Sequence, residues 1–223
     1  MRLRRVSVDW GVGRASLDLR GSGGQAMPIV GVAGENGSGK SMLRQAAIRL
    51  FSSSFSDKGE QSFADWKGVN AEVEFDIGSG ICTGVMKNGV IVQRLAYTGM
   101  KVEDKGLRGG FLSYDNLERS FHSWKHRDYS QGVVGIVLSD LYNKDVRDSF
   151  IWVDDFTLGL DSYSARKFLD VLIRKTLEKD NQLVVSCHDK NLLSGIGDDH
   201  VRILAGGTNV VDAVLRTLSK PQH

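Results

Sequence analysis

One junction constrains this chain more than any other. It runs Ile29-Val-Gly-Val-Ala33, then Gly34-Glu35-Asn36-Gly37-Ser38-Gly39-Lys40-Ser41, then Met42-Leu-Arg-Gln-Ala46-Ala47-Ile-Arg-Leu50. The first piece is short and apolar, the composition of a buried strand. The last places Met42, Leu43, Ala46, Ala47 and Leu50 on one stripe, which predicts a helix over 41–51. A strand that passes into a helix through a glycine-rich loop belongs to an α/β layer.

The rest of the chain fits around that unit. With 223 residues there is room for one sizeable α/β core and not for two comfortable domains. A hydrophobic share of 41% and a net charge of +2 describe an ordinary globular balance, so composition by itself demands neither nucleic acid nor an anionic membrane. The two cysteines, Cys82 and Cys187, sit in apolar stretches at a spacing that suits neither a metal pair nor a disulfide framework, which predicts a reducing cytosol. No run is apolar for long enough to cross a bilayer, and no apolar segment follows the arginines of MRLRRVSVDW. The expectation is a cytoplasmic protein with no direct membrane insertion.

Alternation of Leu3, Val6, Val8 and Trp10 predicts a strand, and 15–19 a second extended piece. Residues 69–77 alternate as well, while 84–87 and 90–95 flank Asn88-Gly89, the strongest short hairpin signal. These make a small antiparallel sheet beside the α/β core. Residues 52–62 and 99–110 read as loops, 115–127 and 132–146 as helices. From Phe150 the order is strand, helix over 164–179, strand over 183–187, and a terminal hairpin through Gly206-Gly207. The organisation expected is a single domain over 1–218, with a helical lobe at about 107–147 and a disordered tail at 219–223.

Chemistry enters at the junction, whose loop fits G-x-x-x-x-G-K-[ST]. Gly34, Gly37 and Gly39 let backbone N–H groups turn inward around phosphates, and the start of the helix adds positive potential. Glu35, Asn36 and Ser38 complete the loop; Lys40 reaches the β- and γ-phosphates as a solvent-facing charge, and the Ser41 hydroxyl ligates Mg²⁺. The plain alternative, a glycine-rich turn with no ligand, leaves the flanking strand and helix unexplained. Downstream, Phe150-Ile-Trp-Val-Asp154-Asp155 is an apolar strand that ends in carboxylates, and Asp154 is placed to hold the magnesium. A buried strand with a polar mouth is common on its own, less so when paired with such a loop.

Asp154-Asp-Phe-Thr-Leu-Gly-Leu-Asp161 resembles the D-E-P-T-x-G-L-D pattern of ABC ATPases. Asp154, Thr157, Gly159, Leu160 and Asp161 match; Asp155 stands for the glutamate and Phe156 for the proline. Val184-Val-Ser-Cys-His188-Asp looks like the family's strand-then-histidine switch. Tyr129-Ser130-Gln-Gly132-Val133 stands where the L-S-G-G-Q signature belongs, with only Ser130 and Gly132 fitting. The resemblance spans roughly Leu3 to Leu215.

It implies a P-loop fold with a small antiparallel subdomain and a helical lobe, taking ATP and Mg²⁺. ATP would be sandwiched in a head-to-tail dimer, with Ser130 and the Gly132 backbone closing on the γ-phosphate from the second copy. Asp155, His188 and Lys40 would carry catalysis, and Gly159 to Asp161 would form the loop that communicates across the dimer. Ser130 has a plainer reading as a helix N-cap, and His188 as a satisfied histidine at a strand end. Asp155 is the informative departure: its carboxylate stops ~1.5 Å short of a glutamate's. Misplacing a general base forfeits up to ~10²–10⁴-fold, so hydrolysis should be slow. For the family's lid-side glutamine there are two candidates, Gln93 and the loop Phe111 to Asn116, which contains no glutamine.

The layout is most similar to SMC and RecF-type heads, but without the coiled coil that normally interrupts such a head, which implies DNA and separate protein partners. The basic segment Arg119 to Arg127, with Phe121 and Trp124 interleaved, suits phosphate contact and stacking. Arginines 2, 4 and 5 add a second cluster. Charge clusters are more often solvated faces, and Phe121 and Trp124 on a helix are more often core. The competing readings are a transporter's nucleotide-binding subunit and an ATP-gated assembly switch with little turnover.

Overall fold

Among the described residues, two five-stranded sheets enclose one helix between them. The computed structural model describes residues 1–54, 66–77, 80–93, 111–115, 146–157 and 160–204. In chain order the elements are β1 (Arg2–Asp9), β2 (Arg14–Asp18), β3 (Ile29–Gly34), α1 (Lys40–Ser54), β4 (Asn70–Ile77), β5 (Gly80–Lys87) and β6 (Val90–Gln93). There follow β7 (Phe111–Asp115), β8 (Phe150–Asp154), α2 (Ser162–Glu178), β9 (Gln182–Cys187), 3₁₀ turns at Lys190–Ile196 and Asp198–His200, and β10 (Val201–Leu204).

The first sheet is antiparallel, in the order β2-β1-β4-β5-β6. Its register sets Val6 against Val73 and Val8 against Ala71, so the apolar half of each alternating strand faces one way. Asn88 and Gly89 turn the β5–β6 hairpin at φ 51° and 75°, the left-handed pair that a two-residue loop requires. The second sheet is parallel, in the order β10-β3-β9-β8-β7. Every residue of β3, β8 and β9 is buried, which explains their unbroken apolar runs.

Both faces of the parallel sheet are covered. On one, Leu43, Ala46, Ala47 and Leu50 of α1 pack with Val30, Val32, Trp152 and Val184 below and Val6, Val73 and Phe75 of the antiparallel sheet above. Phe75 meets Phe150 edge-on at 6.0 Å, and Phe150 meets Trp152 likewise at 6.0 Å. On the other face, Ala165, Phe168, Leu169 and Leu172 of α2 cover Ile151, Val153, Leu183 and Val185. Asp161 caps α2, accepting from the N–H groups of Tyr163 (3.0 Å) and Ser164 (2.9 Å).

A buried glutamine joins the two sheets. Gln182, at the start of β9, accepts from Leu3 N–H (2.5 Å) and donates to Leu3 O (2.9 Å) and Met27 O (2.8 Å). The arrangement is the α/β, P-loop type expected from the junction. One expectation is corrected: Phe111–Asp115, read as part of a loop, is a strand paired in parallel with β8. Val201–Leu204, read as the first arm of a terminal hairpin, is a strand that pairs in parallel with β3. Apart from β7 and residues 146 and 147, the expected helical lobe lies outside the described residues, as do the second arm of the hairpin and the tail. Among the described residues no helix is long and apolar enough to cross a membrane.

Candidate nucleotide site

The order of the parallel strands builds the site. β9 lies between β3 and β8, so residues at its carboxyl end face the phosphate loop on one side and the β8 carboxylates on the other. Ligand sites of open α/β sheets collect at this end of the strands.

The loop turns through Gly37 (φ 80°) and Gly39 (φ 93°), a conformation that side chains rarely adopt. A Cβ on Gly39 would stand 2.7 Å from Ala15 Cβ and 3.0 Å from the Trp10 ring. The antiparallel sheet is thus packed against the back of the loop. Glu35 accepts from Ser38 N–H at 3.2 Å. Ser38 is 1% exposed, yet its hydroxyl has no hydrogen-bond partner among the described residues. A buried orphan hydroxyl in a glycine-lined turn fits a loop that closes around an anionic ligand. No acidic residue stands in the first turn of α1 to oppose one.

Lys40 is not the solvent-facing charge expected. It is 5% exposed, and its ammonium donates to Gly34 O (2.6 Å) and Glu35 O (3.0 Å). His188 Nδ1 lies 3.4 Å from the same ammonium and 3.2 Å from Gly34 O. The structure therefore brings His188, from beyond β9, onto the loop after β3. Its other nitrogen, Nε2, is 3.3 Å from Asp155 Oδ1. Asp155 adopts φ 46°, a strained turn directly after β8, where its N–H donates to Ser186 Oγ at 3.1 Å.

Asp154 is 3% exposed and fully engaged. Ser41 Oγ donates to its Oδ2 at 2.7 Å, which joins the first turn of α1 to the end of β8. Its Oδ1 accepts from Ser186 Oγ. Arg44 Nε stands 3.4 Å from Oδ2, with both side chains buried. A hydroxyl and a carboxylate held together beside the glycine-rich loop could hold a Mg²⁺ ion that takes its other ligands from water and phosphate.

Two residues of this site were not singled out from the sequence. Ser186 falls within an apolar strand, and its role follows only from the strand order. Arg44 read as a polar position beside the helical stripe, but it follows Ser41 by one turn on the same helix face. Asp115 is a third position of interest by register, since it pairs with Asp154 across β7 and β8. Gln93, a candidate lid-side glutamine, is exposed on β6 and donates to Thr83 O at 3.1 Å. Ser130, Gly132, Gly159, Asn116 and the basic segment 119–127 lie outside the described residues. Of the amino-terminal arginines, Arg2 pairs with Asp180 (2.6 Å) and Arg4 with Asp76 (2.8 Å).

No family model matches the chain, and no curated protein matches it in sequence. Among solved structures it is similar to the SMC head domain from Thermotoga maritima at 18% identity and a TM-score of 0.44, over 87% of this chain and 92% of that one. It is similar also to Cdc6p from Pyrobaculum aerophilum at 11% identity and a TM-score of 0.36, over 80% of this chain and 39% of that one.

Proposed function

We propose that this chain is an ATP-binding and slowly ATP-hydrolysing protein of the ABC type, which closes head to tail on a second copy around the nucleotide. The observation that carries the reading is the 2.7 Å contact between Ser41 and Asp154, with His188 3.2 Å from Gly34 O on the same loop. On this reading Gly34 to Ser41 hold the phosphates, and Lys40 exchanges its carbonyl partners for phosphate oxygens. Ser41 and Asp154 hold Mg²⁺, whose contribution is to neutralise phosphate charge. His188 orients the γ-phosphate side, and Asp155 polarises water from a short carboxylate whose Oδ1 lies 3.3 Å from His188 Nε2. Slow turnover is the expected result. Ser130 and Gly132 close the site from the second copy.

The test is equilibrium binding of ATP with and without Mg²⁺, with hydrolysis and sedimentation on the same samples. Lys40→Ala should lose nucleotide binding or turnover while remaining folded. Asp155→Glu should raise turnover, Asp155→Asn should trap an ATP dimer, and Ser130→Arg should prevent one. A folded Lys40→Ala protein with unchanged ATP affinity and hydrolysis would sink the assignment.

Action on DNA with partner proteins is the extension that the resemblance of the sequence layout to SMC and RecF-type heads implies. It predicts ATPase stimulation by double-stranded DNA, and a flatter salt dependence of binding when Arg119, Lys125 and Arg127 are replaced together. The engaged Arg2 and Arg4 leave that prediction to the central segment. A second reading, an ATP-gated assembly switch, is favoured by Asp155 itself and predicts stable ATP dimers with negligible turnover.

A further inference from the structure

We infer that Arg44 is a built-in counter-cation for the metal-holding carboxylate, and that it makes capture of a divalent cation at Asp154 conditional on bound nucleotide. The inference rests on the reading of Asp154 as the Mg²⁺ ligand. Asp154 and Arg44 are each 3% exposed. Arg44 Nε is at ion-pair distance, 3.4 Å, from the same Oδ2 that accepts from Ser41 at 2.7 Å. The other oxygen is fixed by Ser186, which is wholly buried. The carboxylate is therefore aimed from one side and charge-compensated from the other before any ligand arrives.

Helix energetics give Arg44 no reason to be there. It lies near the amino end of α1, where the helix dipole disfavours a cation, and it is surrounded by a stripe of Leu43, Ala46 and Ala47 that is otherwise apolar. A buried guanidinium is tolerated when a carboxylate answers it, and Asp154 does so.

A divalent cation approaching Asp154 alone meets a guanidinium already on the oxygen it needs, with Lys40 one turn earlier on the same helix. Local charge then opposes entry. Bound triphosphate reverses the local sign, and the ion is retained between phosphate and Asp154. Metal should accordingly enter with or after nucleotide, not before it.

Mn²⁺ titration of the full chain, read by the loss of the free-ion electron paramagnetic resonance signal, tests this without any turnover. The wild type should bind no Mn²⁺ below millimolar concentrations alone, and should bind it with a non-hydrolysable ATP analogue present. Arg44→Met should bind Mn²⁺ alone at least about tenfold more tightly than the wild type. Arg44→Lys, which keeps the charge, should restore the wild-type pattern. Micromolar Mn²⁺ binding by the nucleotide-free wild type would overturn the inference, and it does so even if Arg44→Met fails to fold. Equal Mn²⁺ affinity in folded Arg44→Met and wild type would overturn it as well. Failure of the wild type to bind the analogue at all would instead defeat the nucleotide-site reading beneath it.

Discussion

Replacing Gln182 by methionine keeps side-chain length and volume but deletes the polar atoms that join the two sheets. Three main-chain groups then lose their partners: Leu3 N–H, Leu3 O and Met27 O, now bonded at 2.5, 2.9 and 2.8 Å. Gln182 is fully buried, so water does not replace them without opening the interface. Each stranded buried group costs about 1–3 kcal/mol, and sparing the amide its own desolvation recovers part of the sum. The net expectation is a loss of about 3–5 kcal/mol. A domain of ordinary stability has about 5–15 kcal/mol to lose from. Urea unfolding followed by circular dichroism should show a lower midpoint at an unchanged slope. A loss under about 1 kcal/mol would refute the reasoning, since it would mean that the antiparallel sheet is held by apolar packing alone.

Three further outcomes are expected. Gly39→Ala should abolish nucleotide binding in a folded protein, because it combines φ 93° with a Cβ 2.7 Å from Ala15; retained affinity in a binding titration would contradict the packed loop. Burial pushes the Cys187 thiol up to about 12 and raises that of Cys82 as well, so native protein at pH 8 should show no rapid reaction with a thiol-disulfide reagent, and both should react once unfolded. Fast labelling of native Cys187 would exclude that environment. Hydrogen bonding to Arg20 holds the half-exposed Asp18 at about 2, so its stabilisation is fully present above the unfolded value of about 3.9 and is lost as pH falls through about 2. Asp18→Asn should therefore change stability slightly at neutral pH and not at all at the acid limit, which acid-titrated unfolding measures.

Local pattern made the glycine-rich junction legible, since strand, loop and helix are contiguous and each carries its own signal. The same holds for the Asn88-Gly89 hairpin. Strand order is not local. Nothing in the stretch Val184-Val-Ser-Cys-His188 says that β9 inserts between β3 and β8, so Ser186 was passed over although it contacts both Asp154 and Asp155. The parallel partner of Val201–Leu204 in β3 is likewise a long-range one that no local pattern announces. Phe111–Asp115 follows a glycine-rich loop but is short and lacks alternation, and becomes a strand by pairing with β8. Lys40 looked exposed because its carbonyl partners belong to a loop whose backward fold the sequence does not spell out.

The turn at Asp155 has a consequence for laboratory evolution. A non-glycine residue at φ 46° carries about 1 kcal/mol of backbone strain. Glycine relieves it outright, and asparagine tolerates it at least as well as aspartate. A selection that scores only folding, solubility or heat resistance will therefore enrich variants that have discarded this carboxylate. On the role proposed for Asp155 such clones should have lost hydrolysis, so libraries of this chain need a hydrolysis step in the screen.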